Sequence, residues 1–280
     1  MIHTAGHPSL AVVRIVVVLL TLGARPIRAN VELPIAPVQQ ATPVWCWLAV
    51  GEMIFRAFEV PALNDHFQCG IVGTVAIGTA RDVCARDCRR CTVPGGDAAT
   101  VMNMLVEYPR RVALLSGQSV PRLFVSHTGV LRPDELRGEL DAGRPIVVGV
   151  NPGGRPAAFS AAAHVALVVG YRMIDEQLWL LVNDPYPFSP KTWPDPYLAV
   201  NATALAPGRY LLPYRRAVEG LAWTESFLIR RDGDHVAIAT RCLASTPLAQ
   251  TACPAGPTQA PGEPCTCGLA RGVVVDQGRP

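Results

Sequence analysis

Lysine is nearly missing from this chain. Lys191 is the only one among 25 basic residues, and no long block of basic side chains occurs anywhere in the 280 residues. Without such a block there is no electrostatic footprint for nucleic acid or an anionic surface as partner. The lysine scarcity itself reads as codon bias. Charge is sparse overall, at 17% of residues. A membrane-spanning run is also lacking, because the apolar or small stretch Ile15 to Ala24 falls short of the about 20 residues a spanning helix needs. No cysteine follows that stretch closely, which argues against a lipoprotein anchor, and no internal repeat is present.

What is present is an ordinary globular composition, 50% hydrophobic, sufficient for one domain with a substantial core and a short appendage. Residues Met1 to Ala29 read as a secretory signal: a basic start, an apolar core within the roughly 7–15 residues usual for such segments, and Ile27-Arg28-Ala29 as a cleavage site. A buried helix or a membrane anchor is the competing reading. Arg14, Arg25 and Arg28 would leave with the signal while no acid does, taking the formal charge from +3 to zero. No membrane partner is expected after signal removal, and the expected location is secreted or periplasmic.

Nine cysteines in an exported chain imply an oxidising destination and disulfides. Eight of them fall into two groups, Cys69, Cys84, Cys88, Cys91 and Cys242, Cys253, Cys265, Cys267. The spacing of Cys84, Cys88 and Cys91 could also present three thiolates to zinc, but an oxidising compartment works against that, and no cofactor or metal is expected. The ninth, Cys46, stands apart. An odd cysteine in a secreted protein is a free reactive thiol or an intermolecular bridge.

The context of Cys46 favours the reactive thiol. An irregular approach, Gln39-Gln40-Ala41-Thr42-Pro43, runs into a segment with Trp47, Val50, Gly51, Ile54 and Phe58 on one helical face. Thr42 is the expected N-cap and Pro43 the expected first helical residue, so the helix should run from about Pro43 to Phe58. A thiol in a first helical turn faces open backbone N–H groups and the positive dipole end, which favour its thiolate. Downstream, the spacing predicts a loop-rich segment from Pro61 to Gly96, helices over Asp97–Tyr108 and Pro133–Ala142, and a buried strand Ile146–Val150. Strands Val165–Tyr171, with His164 at the start, and Leu178–Asn183 follow, and a last hairpin pairs Phe227–Ile229 with Val236–Ala239. Helices first and an antiparallel sheet afterwards make the chain α+β. Residues 30–240 form the expected domain. The Cys-, Pro- and Gly-rich segment 241–280 reads as a disulfide-tied or flexible tail.

A cysteine nucleophile needs a proton carrier, a group to orient it and a donor for the oxyanion. With the turn of the central hairpin near Asp175-Glu176, antiparallel pairing sets His164 opposite a residue between Pro185 and Pro187, close to Asp184. Cys46 would attack, His164 would carry the proton and Asp184 would orient the ring. Gln40, six residues before Cys46, would share the oxyanion with the Cys46 backbone N–H. Each has a plainer reading: Cys46 as a buried or bridged thiol, His164 as a core histidine, and Gln40 as a loop hydrogen-bonder whose place Gln39 could take. Asn183, on the opposite strand face from Asp184, is the alternative orienter. His66, His127 and His235 have no matched acid in the sequence and read as surface residues. Tyr186 or Trp193 could shelter the His164–Asp184 pair.

These residues carry a resemblance. Gln40, the Cys46-Trp47 pair opening a helix, the strand His164 to Tyr171 and the following Asn183-Asp184-Pro185 resemble papain-like cysteine proteases. The compact bacterial branch of secreted papain-like proteins and type III effector proteases is the most similar, over roughly Pro37 to Trp193. The resemblance implies a papain-like fold: an N-terminal helical part carrying the nucleophile, packed on an antiparallel sheet or half-barrel. It also implies hydrolysis of a protein or peptide substrate through an acyl-thioester. Two departures stand out. Pro43 occupies the position three before the nucleophile where plant and lysosomal relatives have a bridge cysteine, and the third member is Asp184 rather than Asn. With 16 residues between the cleavage site and Cys46, no long inhibitory pro-segment is expected. Two other readings compete: a peptidoglycan amidase or acyltransferase using the same three residues, and an inactive disulfide-rich binding protein.

Overall fold

The computed structural model describes residues 30–75, 83–84, 95–151, 164–189, 194–232, 240–245, 250–254, 264–267 and 270–276. Its centre is the antiparallel hairpin β4 (His164–Ile174) and β5 (Gln177–Asn183). The two-residue turn, Asp175-Glu176, has both φ values positive, at 48° and 62°. Such a turn matches the right-handed twist of the flanking strands and sets their register. Leu167 pairs with Asn183, which brings the chain after β5 alongside His164 as the sequence predicts.

This hairpin lies inside an eight-stranded, wholly antiparallel sheet. The other strands are β1 (Asn30–Glu32), β2 (Leu123–Thr128), β3 (Ile146–Val150), β6 (Thr203–Ala206), β7 (Arg209–Pro213) and β8 (Glu225–Arg231). The order is β2-β8-β3-β4-β5-β7-β6, with β1 continuing the β3 edge of β4 against Gly170–Arg172. On one face lie α1 (Cys46–Ala57), α2 (Phe67–Val75) and α3 (Ala98–Ser116); near the other lie α4 (Pro133–Asp141), α5 (Pro196–Ala199) and α6 (Tyr214–Gly220). Val165, Leu167 and Val169 of β4 join the core with α1 to α3, while Ala166, Val168 and Tyr171 join the other. Being covered on both faces explains why β4 reads as an unbroken apolar run instead of alternating.

The α+β expectation holds, and the helices and strands read from periodicity are present with shifted ends. Two corrections have physical causes. The first helix starts at Cys46, with Trp45 and not Thr42 at its N-cap, because Thr42 to Trp45 close a turn of their own through Trp45 N–H donating to the Thr42 carbonyl at 3.2 Å. The helix expected to end at Tyr108 runs on through Pro109 to Ser116. There the buried Tyr108, Pro109 and Val112 face the core, and that packing outweighs the lost backbone bond. The loop-rich 61–96 segment contains α2. For the last hairpin, β8 is flanked by β2 and β3 over Ser226–Leu228, and Val236–Ala239 lies outside the described residues. Residues 1–29, expected to be a signal, also lie outside them. The C-terminal segment, expected to be a disulfide-tied or flexible tail, contains a four-stranded antiparallel sheet of β9 (Thr240–Ser245), β10 (Gln250–Pro254), β11 (Pro264–Cys267) and β12 (Ala270–Asp276), ordered β10-β9-β12-β11. Among the described residues, no helix is long and apolar enough to cross a membrane.

Gly170 is where β1 crosses closest to the hairpin. A Cβ there would collide with the Val31 carbonyl oxygen and lie 3.0 Å from Glu32 Cα. Gly170→Ala is therefore expected to lower the denaturant midpoint by the equivalent of about 1–3 kcal/mol, the usual cost of overpacking. An unchanged midpoint would show that β1 can move aside freely.

Candidate active site

Cys46 is the first residue of α1, and no side chain caps that helix start. The Leu48 N–H of its first turn donates to the Trp45 carbonyl at 3.0 Å, while the Cys46 and Trp47 N–H groups precede any carbonyl partner within the helix. The thiol is half-buried and is the free cysteine among the described residues, whereas Cys69 and Cys84 are disulfide-bonded. From the neighbouring sheet, β4 delivers His164, which is 4% exposed, and the residue after β5 is Asp184, at 2%.

His164 Nε2 lies 2.9 Å from both carboxylate oxygens of Asp184. The ring also hydrogen-bonds the Cys46 sulfur; with Nε2 on the carboxylate, Nδ1 is the nitrogen left for the thiol. The imidazole thus has the Asp184 carboxylate on one nitrogen and the Cys46 thiol within reach. Asn183 points elsewhere, its Nδ2 donating to the Ile35 carbonyl at 2.8 Å. The alternation of the strand separates the two adjacent residues, and Asp184 is the one that meets the histidine.

Burying a carboxylate and an imidazole together is costly unless every lone pair finds a donor. Asp184 takes two further ones: Tyr186 N–H at 2.8 Å and the Tyr197 hydroxyl at 2.8 Å. Its own N–H donates to the Gly208 carbonyl at 2.8 Å. Gly208 has φ +70°, and a Cβ on it would stand 2.8 Å from the Asp184 carbonyl oxygen, so a side chain there would push Asp184 out of line. Burial and the nearby Asp184 charge push the Tyr197 hydroxyl pKa well above its ordinary value, so it remains a neutral donor at all working pH. Tyr186 and Phe188 stand edge-on to the imidazole, with ring centroids at 6.2 and 6.3 Å. Tyr186 thus fills the sheltering place expected of it; Trp193 lies outside the described residues.

Gln40 is 4% exposed. Its backbone N–H donates to the Pro185 carbonyl at 2.9 Å, and its side-chain Nε2 donates to the Thr42 carbonyl at 2.7 Å. One amide hydrogen is committed to the turn that precedes Cys46, leaving the second. Beside this arrangement lies a hollow of about 190 Å³. Its lining includes Gly96, Val101, Val165, Glu225 and Phe227. Val165 follows His164, and a Cβ on Gly96 would lie 2.9 Å from the Trp47 ring, so the hollow adjoins the next neighbours of His164 and Cys46.

Periodicity missed Tyr197, Phe188 and Gly208, and the sequence holds one signal that could have found the first. Asp-Pro-Tyr occurs at 184–186 and again at 195–197. In both copies the aspartate accepts the backbone N–H of the tyrosine, at 2.8 and 2.9 Å, and the second copy supplies Tyr197 to the carboxylate of the first. His127, expected to have no matched acid, lies 3.2 Å from Glu225, 98 residues away. His66 is exposed. Among the described residues, no cluster of three or more His, Cys, Asp or Glu could hold a metal ion.

An α+β frame that sets a free thiol at a helix start near a buried histidine–carboxylate pair is the arrangement a cysteine peptidase needs. A model of the Peptidase_C39 like family matches residues 32–197, more than half of the chain, and the chain belongs to that family. Among solved structures it is similar to digestive procathepsin L 3 of Tenebrio molitor larval midgut (TM-score 0.42, 13% identity, covering 74% of this chain and 71% of that one). It is likewise similar to digestive procathepsin L2 proteinase from the same tissue (TM-score 0.41, 15% identity, covering 71% and 67%). No curated protein matches the sequence significantly.

Burial disfavours a charged His164, but the Asp184 charge and hydrogen bond, with Cys46 adding to them, raise its pKa from 6.5 to about 10. A folded-state value above the unfolded one means the contribution to stability is complete below the unfolded pKa and lost as pH rises through the folded one. Denaturant midpoints between about pH 6.5 and 10 are expected to fall with pH in the native chain relative to His164→Gln. Parallel curves would show that His164 is not the charged partner.

Proposed function

We propose that this chain is an exported peptidase that hydrolyses peptide bonds through an acyl-thioester, with Cys46, His164 and Asp184 as the triad and Gln40 completing the oxyanion site. The buried His164–Asp184 pair, with the free Cys46 thiol next to the imidazole, is the observation that supports the reading. With the thiol proton passed to His164, Cys46 Sγ attacks the substrate carbonyl carbon as the thiolate of a thiolate–imidazolium pair, and the carbonyl electron pair moves onto oxygen. That oxyanion is met by the Cys46 backbone N–H and the second Nε2 hydrogen of Gln40. The imidazolium of His164 then gives its proton to the departing amine as the C–N bond breaks. A water, deprotonated by the now neutral ring, attacks the thioester; the tetrahedral adduct expels the sulfur, releasing the acid and restoring the pair. Asp184 holds the ring through Nε2 and stabilises its charged form.

The hollow beside Val165 would seat a substrate side chain, and its mainly apolar lining with Glu225 at the wall favours a long side chain with a cationic end. Export is supported by the apolar core of the leading segment and by bonded Cys69 and Cys84 beside a free Cys46. The resemblance to the compact bacterial branch supports a secreted or periplasmic site of action.

Cys46→Ala or His164→Ala should lower turnover of a peptide substrate by about 10³-fold or more, and Gln40→Ala by about 10²-fold, with the fold intact by circular dichroism. Full turnover in either of the first two would end the triad assignment. Incubation in parallel with purified cell wall reads the rival chemistry, since fragments released from wall but not from peptides would make the enzyme an amidase. Loss of neither substrate, with Cys46 inert to a mild alkylator at acidic pH, would leave a binding protein.

A further inference from the structure

The Gln40 carboxamide ties its own segment only forward, to the Thr42 carbonyl at 2.7 Å. The backbone on either side of Gln40 is gripped by a buried side chain of α2. Gln68 of α2 is 7% exposed. Its Oε1 accepts the Ala41 N–H at 2.9 Å, and its Nε2 donates to the Gln39 carbonyl at 3.0 Å. One carboxamide thus grips the backbone on both sides of Gln40. The same Nε2 also donates to Glu52 Oε2 at 3.1 Å. This orientation is the one the partners allow, because exchanging O and N would set donor against donor at Ala41 and acceptor against two acceptors.

Glu52 lies in α1, six residues beyond Cys46, and is 6% exposed. Its Oε1 accepts from Arg56 Nε at 2.9 Å and Nη2 at 2.7 Å. A buried carboxylate paired on one oxygen with a cation and on the other with an amide is held firmly in place. The result is a bridge from the helix that carries the nucleophile, through Glu52 and Gln68, to the loop that carries the oxyanion donor.

We infer that Gln68, braced by Glu52, is a positioning residue that sets Gln40 relative to Cys46 for oxyanion binding. The inference rests on the oxyanion role given to Gln40 above. An effect of this kind is felt in the transition state and not in substrate binding, because the oxyanion forms only there. A misplacement of about 1 Å in such a donor can cost on the order of 10²-fold. A clamp that serves stability alone would lower the melting temperature without a selective loss of kcat.

The test is a double-mutant cycle on the full chain with a peptide substrate and a peptide ester, combining Gln68→Ala with Gln40→Ala. Gln68→Ala is expected to lower kcat about 10- to 100-fold with KM within about threefold. Its effect should shrink to less than about threefold in the Gln40→Ala background. Alkylation of Cys46 should proceed at the native rate in every variant, because the Cys46–His164 pair is not touched. A full Gln68→Ala loss persisting without Gln40, or no loss at all, would overturn the inference. Should Gln40→Ala alone leave kcat unchanged, the oxyanion role falls and the inference with it, while losses in Cys46→Ala and His164→Ala would still stand for the triad. If Gln68→Ala does not fold, Glu52→Gln with the Arg56 partner retained reads the same coupling: a smaller kcat loss that vanishes in the Gln40→Ala background is expected, and a loss independent of Gln40 would overturn it.

Discussion

A histidine and a carboxylate buried together at the open end of one hairpin impose most of what surrounds them. Removing two ions from water costs several kcal/mol per ion unless the geometry is good and the remaining lone pairs are filled. Here Asp184 collects His164, the Tyr186 N–H and the Tyr197 hydroxyl. Each of those donors needs its own support. The hydroxyl of Tyr197 is placed by its stacking on Tyr210, with ring centroids 4.1 Å apart, and by the turn that Asp195 begins. The short elements after β5, from α5 to β7, therefore serve the pair as well as closing the sheet.

The chain before Cys46 is fastened to the same place from the other side. Leu33 N–H donates to the Val169 carbonyl, the Ile35 carbonyl accepts from Asn183, and Gln40 N–H donates to the Pro185 carbonyl. Three successive anchors along β4 and β5 lead the segment to the start of α1. A thiol at a helix start and an imidazole at a strand start are thereby held against each other, although 118 residues separate them in sequence. The Gln68–Glu52 bridge adds a tie on the helical side, so the segment that carries Gln40 is fixed to both layers of the fold.

Much of this was legible before the fold was known. Strongly patterned elements, α1, α4, β3 and the β4–β5 hairpin, were read with ends within a few residues, because burial on one or both faces writes a clear period into the chain. The hairpin register led directly from His164 to Asp184. The short pieces between residues 196 and 220 were missed because four to seven residues cannot display a period. The start of α1 was misplaced because Thr42 and Pro43 have the right chemistry for a helix start yet belong to a preceding turn. The C-terminal sheet was missed because Pro and Gly mark its turns more loudly than its strands mark themselves.

By itself the sequence determined which residue types could do the chemistry and that His164 and Asp184 could reach one another. Those facts depend on local period, on strand alternation and on a hairpin of short span, which are properties of neighbouring residues. Only the tertiary structure decided which oxygens and nitrogens face each other. The donation of Tyr197 to Asp184, the grip of Gln68 on the loop around Gln40, the pairing of His127 with Glu225 and the close approach of Val31 to Gly170 join residues that no local rule brings together. They arise from the packing of helices and the crossing of strands, where long-range burial and hydrogen-bond satisfaction select one arrangement.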